Sequence, residues 1–166
     1  MIIPATHDTG GAVAGIPTQS ENYAYISSGT WSLVGVEAPD AVVNDAAFDA
    51  NVTNEGGLDN SYRLLKNVMG LWILQQCRAT RAGDWHDYSY GELVELANKT
   101  PELQYLVDVD APRFLVAGNH PQHIQDWCAE YDLPVPQIHG EIVRCVLESL
   151  TLKYHAVLES IESISN

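Results

Sequence analysis

The spacing of apolar and polar positions changes character along the 166 residues, from strand-like runs early to helical stripes late. A short apolar run from Met1 to Ala5 predicts a buried strand over residues 2–6. Small residues behind His7-Asp8-Thr9 predict a short helix over 8–16, ended by Pro17, and a polar loop over 17–22. Tyr23–Ser27 and Trp31–Val36 alternate and are rich in aromatic and β-branched residues, which predicts a hairpin over 23–37. In this hairpin Trp31 and Leu33 are expected to be plain core. Residues 38–50 carry the turn signal Pro39-Asp40 and are expected to be loop. A second strand pair is expected over 51–54 and 61–65, joined by the turn Glu55–Asn60.

From there the period becomes helical. Val68, Leu71, Trp72, Leu74 and Cys77 predict a helix from Asn67 to Arg81. Tyr90, Leu93, Val94, Leu96 and Ala97 predict another over 89–99, and residues 121–131 a third. The stretch 107–118, around Pro112, is loop-rich, and Pro134 with Pro136 interrupts the pattern again. The clearest stripe, Ile142, Val143, Val146, Leu147, Leu150, Tyr154, Val157, Leu158 and Ile161, predicts a helix over 139–163. Strands first and helices later suit an α/β fold, a mixed sheet with packed helices.

Composition narrows the function. Hydrophobic residues make up 46% and charged residues 18%, which fits a globular chain with a real core. The net charge of −14, from 8 basic and 22 acidic residues, argues against nucleic acid and anionic membrane surfaces as partners. No run approaches the length of a membrane span. Three widely spaced cysteines (Cys77, Cys128, Cys145), with no Cys-x-x-Cys, are expected to be reduced and buried in a cytoplasmic protein.

Two stretches carry candidate chemistry. Asp8 stands where a helix begins, so free backbone N–H groups and the positive helix end hold its charge; taken alone it is a helix cap. The turn Ser27-Ser28-Gly29-Thr30 presents hydroxyls and backbone N–H groups that suit a phosphate without any cationic side chain, although most such turns are only turns.

His7-Asp8-Thr9, then Tyr25-Ile26-Ser27-Ser28-Gly29-Thr30-Trp31-Ser32-Leu33, then Thr53-Asn54-Glu55-Gly56-Gly57, then Leu65-Lys66-Asn67-Val68-Met69-Gly70-Leu71-Trp72 together resemble the FGGY carbohydrate kinases. The motifs stand in the family's order and spacing. The resemblance implies the first part of the second of two ribonuclease-H-like (actin/hexokinase-type) domains, truncated. The preceding sugar domain and the following glycine-rich adenosine-binding segment would be absent, so that the fragment alone is inactive and prone to self-association. The implied reaction is ATP- and Mg²⁺-dependent phosphorylation of a ketose hydroxyl, L-rhamnulose or a related sugar. Asp8 would be the catalytic base. His7, Thr9 and Asn67 would join it in binding the sugar, Thr30 and Gln75 would contact ATP, and no metal ligand is assigned to the chain. By pattern alone Asn67 is equally a helix cap and Gln75 a solvated side chain. Their spacing would set them on roughly one side of a helix. Thr53–Gly57 matches a family segment and either shapes the cleft or simply makes the turn. Thr6 stands where the family commonly has Gly, and Gly10-Gly11 where Ala or Ser is usual, which bears on the choice of sugar more than on the reaction.

Two other classes compete. A metal-dependent phosphohydrolase would use His7-Asp8 as a ligand pair, with His120 and His123 one turn apart; it needs three or more converging ligands. A non-catalytic binding module would use the long amphipathic helix and the acidic surface. No Gly-x-Gly-x-x-Gly or Gly-x-x-x-x-Gly-Lys occurs, so ATP binding rests on the resemblance and not on a P-loop.

Overall fold

The computed structural model describes residues 8–18, 20, 22–80 and 83–165. The expected strand at 2–6, together with Thr6 and His7, lies outside the described residues, as does Arg81, the expected end of a helix. The chain divides into two compact units, one of residues up to Val68 together with Tyr154 onward, the other Met69–Lys153.

The first unit is built on a four-stranded sheet of β1 (Ala24–Ser28), β2 (Trp31–Ala38), β3 (Thr53–Gly56) and β4 (Tyr62–Met69), in the order β1-β2-β4-β3. β1 pairs antiparallel with β2, placing Tyr25 opposite Gly35 and Ser27 opposite Leu33. β3 pairs antiparallel with β4, placing Glu55 opposite Arg63 and Thr53 opposite Leu65. The expected hairpin is present, closed by the link Gly29-Thr30, where the Gly29 N–H donates to the Trp31 carbonyl at 3.0 Å. The second strand pair is also present but shifted: Glu55 and Gly56, expected in the turn, belong to β3, and residues 51 and 52 do not. Its turn places Asp59 and Asn60 at positive φ (51° and 68°), a region that Asp and Asn tolerate better than most residues.

Strand alternation assigns the faces. Tyr25, Ser27, Trp31, Leu33, Gly35, Glu55, Arg63, Leu65 and Asn67 share one face. The helix α1 (Asp8–Ala14) packs on β1 and lies over this face, close enough that a side chain at Gly10 would meet the Arg63 guanidinium. On the other face Ser32, fully buried, shares a 2.6 Å hydrogen bond with the hydroxyl of Tyr154, and Val157 and Ile161 are buried one and two turns further along that helix. Gly35 is required by close approach. A Cβ there would lie 2.6 Å from the Leu64 carbonyl and 2.7 Å from Leu65 Cβ.

Residues 38–50, expected to be loop, contain the short helix α2 (Asp45–Asp49). Asn44 caps it, accepting from the Ala47 N–H at 2.8 Å, a cap signal present in the sequence but embedded in too short a stretch to show a period. The segment is tied down by Asn54, whose side chain bonds both the N–H and the carbonyl of Val42 at 2.9 and 2.8 Å.

The second unit is helical: α3 (Trp72–Ala79), α4 (Tyr90–Ala97), α5 (His120–Glu130) and the first part of α6 (His139–Ser165), with 3-10 turns at Trp85–Asp87 and Pro112–Phe114. Ser89 and Glu92 form a reciprocal capping box at the start of α4. The long stripe of α6 is buried as expected, with Ile142, Val143, Val146 and Leu150 within the core. Cys77, Cys128 and Cys145 are free and buried; burial pushes the Cys77 thiol up, and the hydrogen bond with Cys128, with burial second, does the same to Cys145. Among the described residues no helix is long and apolar enough to cross a membrane.

The helix expected from Asn67 to Arg81 is not continuous. Residues 67–69 complete β4, and α3 begins only at Trp72. Leu64, Leu65, Val68 and Met69 are all buried, so this strand is covered on both faces and lacks the alternation that would have marked it. Asn67 is therefore a strand residue. It neither caps a helix nor shares a helix face with Gln75.

Two outcomes are expected. Gly35→Ala forces a Cβ against backbone, so we expect a loss of about 1–3 kcal/mol in urea unfolding; an unchanged midpoint would contradict the close approach. Glu37 accepts from the hydroxyls of Tyr23 and Ser61, and chiefly the Tyr23 bond holds its carboxyl below the usual value of 4.5. A carboxyl with a depressed folded pKa contributes stability that is complete above the unfolded value and lost as pH falls through the folded one. Glu37→Gln is therefore expected to be less stable than the parent at pH 7, with the gap closing below about pH 4.5. A gap independent of pH would refute this.

Candidate functional site

On the sheet face beneath α1, Asp8, Thr9, Trp31, Leu33, Glu55 and Asn67 line one cavity of about 410 Å³. Four segments meet here: the start of α1, the start of β2, β3 and the end of β4. The alternation that places Trp31, Leu33, Glu55 and Asn67 on one face is what collects them.

Asp8 is exposed, and its Oδ1 accepts the Thr9 N–H at 2.9 Å. That bond orients the carboxylate. Thr9 is half-buried and Asn67 is exposed. Of the sequence-predicted residues, the structure brings Asp8, Thr9 and Asn67 together. Thr30 is exposed at the hairpin link beside Trp31 and is not a wall of the cavity. Gln75 is half-buried on α3 in the second unit, its N–H donating to the Leu71 carbonyl at 2.9 Å. His7 lies outside the described residues.

Trp31 and Leu33, expected to be core, are walls of this cavity instead, and Trp31 is 48% exposed. A strand ending at a cavity presents its last alternate side chains to the opening rather than to packing. Arg63 was missed, and Glu55 was placed only within a segment that either shapes the cleft or makes the turn. Glu55, in the segment Thr53–Gly57, lines the cavity, and its Oε2 receives the Arg63 Nη2 at 2.8 Å. The Arg63 side chain is only 4% exposed, against 29% for Glu55. Arg63 Nε also donates to the Gly56 carbonyl at 3.3 Å, and a Cβ at Gly10 would stand 3.2 Å from Nη2. Burial pushes the neighbouring Tyr25 hydroxyl up to about 12, opposed by the Arg63 charge beside it. Opposite charges eight residues apart around a turn signal were the available clue, but it takes the register to make them cross-strand partners.

The phosphohydrolase reading finds no support in His120. Its two ring nitrogens lie 3.2 Å from the Phe114 carbonyl and 3.3 Å from the Gly118 carbonyl, and burial lowers its pKa. His120 is instead the first residue of α5, where Pro121 sits at a helix start and does not break it.

The buried partner of the ion pair is the cation, so the two truncations are unequal. Glu55→Ala strands a desolvated guanidinium and is expected to cost about 3 kcal/mol or more, whereas Arg63→Met leaves a carboxylate that water reaches and is expected to cost less. Chemical denaturation of both variants checks the order; the reverse order would contradict this placement of the charges.

Comparison with known proteins gives the chain a family. The profile of the FGGY family of carbohydrate kinases, C-terminal domain, matches residues 24–165. The chain is 42% identical to a rhamnulokinase of Bacteroides thetaiotaomicron over 165 residues, which is 99% of this chain and 33% of that protein. It is 41% identical to a rhamnulokinase of Enterococcus faecalis over 99% of the chain and 33% of that protein. A rhamnulokinase of Pectobacterium atrosepticum is 45% identical over 93% of the chain and 30% of its own length. The chain thus spans about a third of the length of these relatives. It belongs to the FGGY family of carbohydrate kinases.

Proposed function

We propose that the chain is the first part of the second, ribonuclease-H-like domain of a kinase that transfers the γ-phosphoryl group of ATP to a hydroxyl of a ketose, L-rhamnulose by the names of its relatives. The observation that carries this reading is the single cavity holding Asp8, Thr9 and Asn67, three of the residues that the family resemblance assigns to the sugar. The preceding sugar domain and the adenosine-binding segment belong to the rest of that kinase.

In this reading Asp8 is the general base. Its carboxylate takes the proton from the attacking sugar hydroxyl, whose oxygen bonds to the γ-phosphorus as the bond to the leaving ADP oxygen breaks. The Thr9 N–H holds Oδ1 and so aims the other oxygen at the substrate. His7, Thr9 and Asn67 bind the sugar, while Trp31 and Leu33 supply an apolar wall against its carbon skeleton and keep water from that side.

The donor set fits ATP carrying its own Mg²⁺. Among the described residues no three His, Cys, Asp or Glu are grouped to hold a metal, and a nucleotide-borne Mg²⁺ needs no such group because phosphates and water fill its shell. Mg²⁺ supplies neutralisation of phosphate charge, which a chain of −14 net charge cannot supply through its own cations. Thr30, with the hydroxyls and N–H groups of the hairpin tip, is assigned to a phosphate, and Gln75 to ATP. Three free, buried cysteines suit a reducing, cytoplasmic setting.

A coupled ADP-release assay on the full-length kinase tests the reading. Asp8→Asn is expected to lower turnover of L-rhamnulose about 10²- to 10⁴-fold, the usual contribution of a positioned base. Turnover that survives Asp8→Asn would sink the assignment.

A further inference from the structure

The cavity holds a second carboxylate that the proposed reaction does not use. Glu55 faces the same space as Asp8, Thr9 and Asn67, yet phosphoryl transfer needs one base, and that role is taken. Its surroundings are built rather than incidental. Glu55 stands directly opposite Arg63 across the β3–β4 ladder, and the guanidinium bonds Glu55 Oε2 and, through Nε, the Gly56 carbonyl. The guanidinium is itself buried among the sheet, Tyr25 and the Gly10 face of α1. An arginine is costly to bury unless its charge is paired. What it secures is one oxygen of a carboxylate that lines the cavity and is still 29% exposed.

The remaining walls say what that oxygen would meet. A carboxylate and an amide accept and donate hydrogen bonds to hydroxyls, and an indole beside a leucine covers a face of C–H groups. That combination suits a polyol. It does not suit a phosphate, which two carboxylates would repel.

We propose that Glu55 is a specificity-determining contact for the sugar, accepting a substrate hydroxyl other than the one phosphorylated, and that Arg63 is the positioning residue that fixes it. This rests on reading the cavity as the sugar site. One rigid acceptor discriminates among ketoses by the direction of a single hydroxyl. A sugar with that hydroxyl inverted or missing leaves a partly desolvated carboxylate without its donor. The proposal also gives the segment Thr53–Gly57 two functions within adjacent residues: Asn54 pins the chain at Val42, and Glu55 meets the substrate.

The test is steady-state kinetics of the full-length kinase and its Glu55→Gln, Arg63→Lys and Asp8→Asn variants on L-rhamnulose, L-fuculose and D-xylulose, with ATP varied separately. Glu55→Gln keeps an acceptor for the guanidinium, so the fold is retained while the charge is lost. We expect the KM for the preferred sugar to rise about 10- to 100-fold, the KM for ATP to stay within about twofold, and the preference among the three ketoses to narrow, as for a lost hydrogen bond to a charged group. Arg63→Lys, which keeps the charge but not the planar fork, is expected to move the sugar KM in the same direction by a smaller factor. If Glu55→Gln does not fold, as judged by circular dichroism, Glu55→Asp takes its place and is expected to raise the sugar KM through its shorter reach. An unchanged sugar KM and ranking in the folded Glu55 variant overturns the proposal. With Asp8→Asn inactive, that result leaves the kinase reading standing; with Asp8→Asn active, the kinase reading itself is lost.

Discussion

The buried guanidinium of Arg63 is the constraint on which the site in the first unit depends. It sits under α1, against Gly10, and across from Glu55, with almost no access to water. A charge in that position has to be paired, and its pairing decides where the neighbouring backbone can go. The β3–β4 register is held where Glu55 faces it, and α1 begins at a height that leaves room for it. The glycine at position 10 follows from the same contact. A side chain there would stand 3.2 Å from the guanidinium, which would have to give way by a few tenths of an ångström.

From this arrangement the cavity follows with little further help. Side chains alternate along each strand, so a sheet face that accepts one short helix has its uncovered end lined by whichever alternate residues remain. Here these are Trp31, Leu33, Glu55 and Asn67, and the exposed Asp8 at the helix start completes the ring. The chain therefore offers a carboxylate, an amide, a hydroxyl and an apolar wall while using few of its eight cationic side chains. The cation nearest the site is spent on structure. A nucleotide would have to bring its own counter-charge to so acidic a chain, which agrees with the phosphate-binding role proposed for uncharged groups at the hairpin tip.

The correction at residues 67–81 shows how a helical period misleads at a strand end. Val68, Leu71 and Trp72 fall at helical spacing, but the first belongs to a strand buried on both faces and the last opens a helix after Gly70. Burial on two faces removes the alternation that marks a strand, and only helical spacing is left to see. The same effect displaced Asn67 from an imagined helix face to a real strand face. It still arrived in the cavity with Asp8, because its assignment came from motif resemblance and not from the period. Trp31 failed in the opposite way. A large aromatic residue on an alternating strand is core in most proteins, and only the cavity at that end of the sheet makes it a wall.

The sequence by itself determined the family, the hairpin, the second strand pair, the late helices and the candidate base, because each rests on local spacing or on a motif carried by neighbouring residues. α6 was legible almost to its ends, since a stripe repeated over many turns leaves no other period. Tertiary structure alone decided that Glu55 and Arg63 are partners, that Arg63 is buried against Gly10, and that Trp31 lines a cavity. Those facts depend on strand register and on which face a helix covers, and both are set by packing between segments distant in the chain rather than by any run of residues within it.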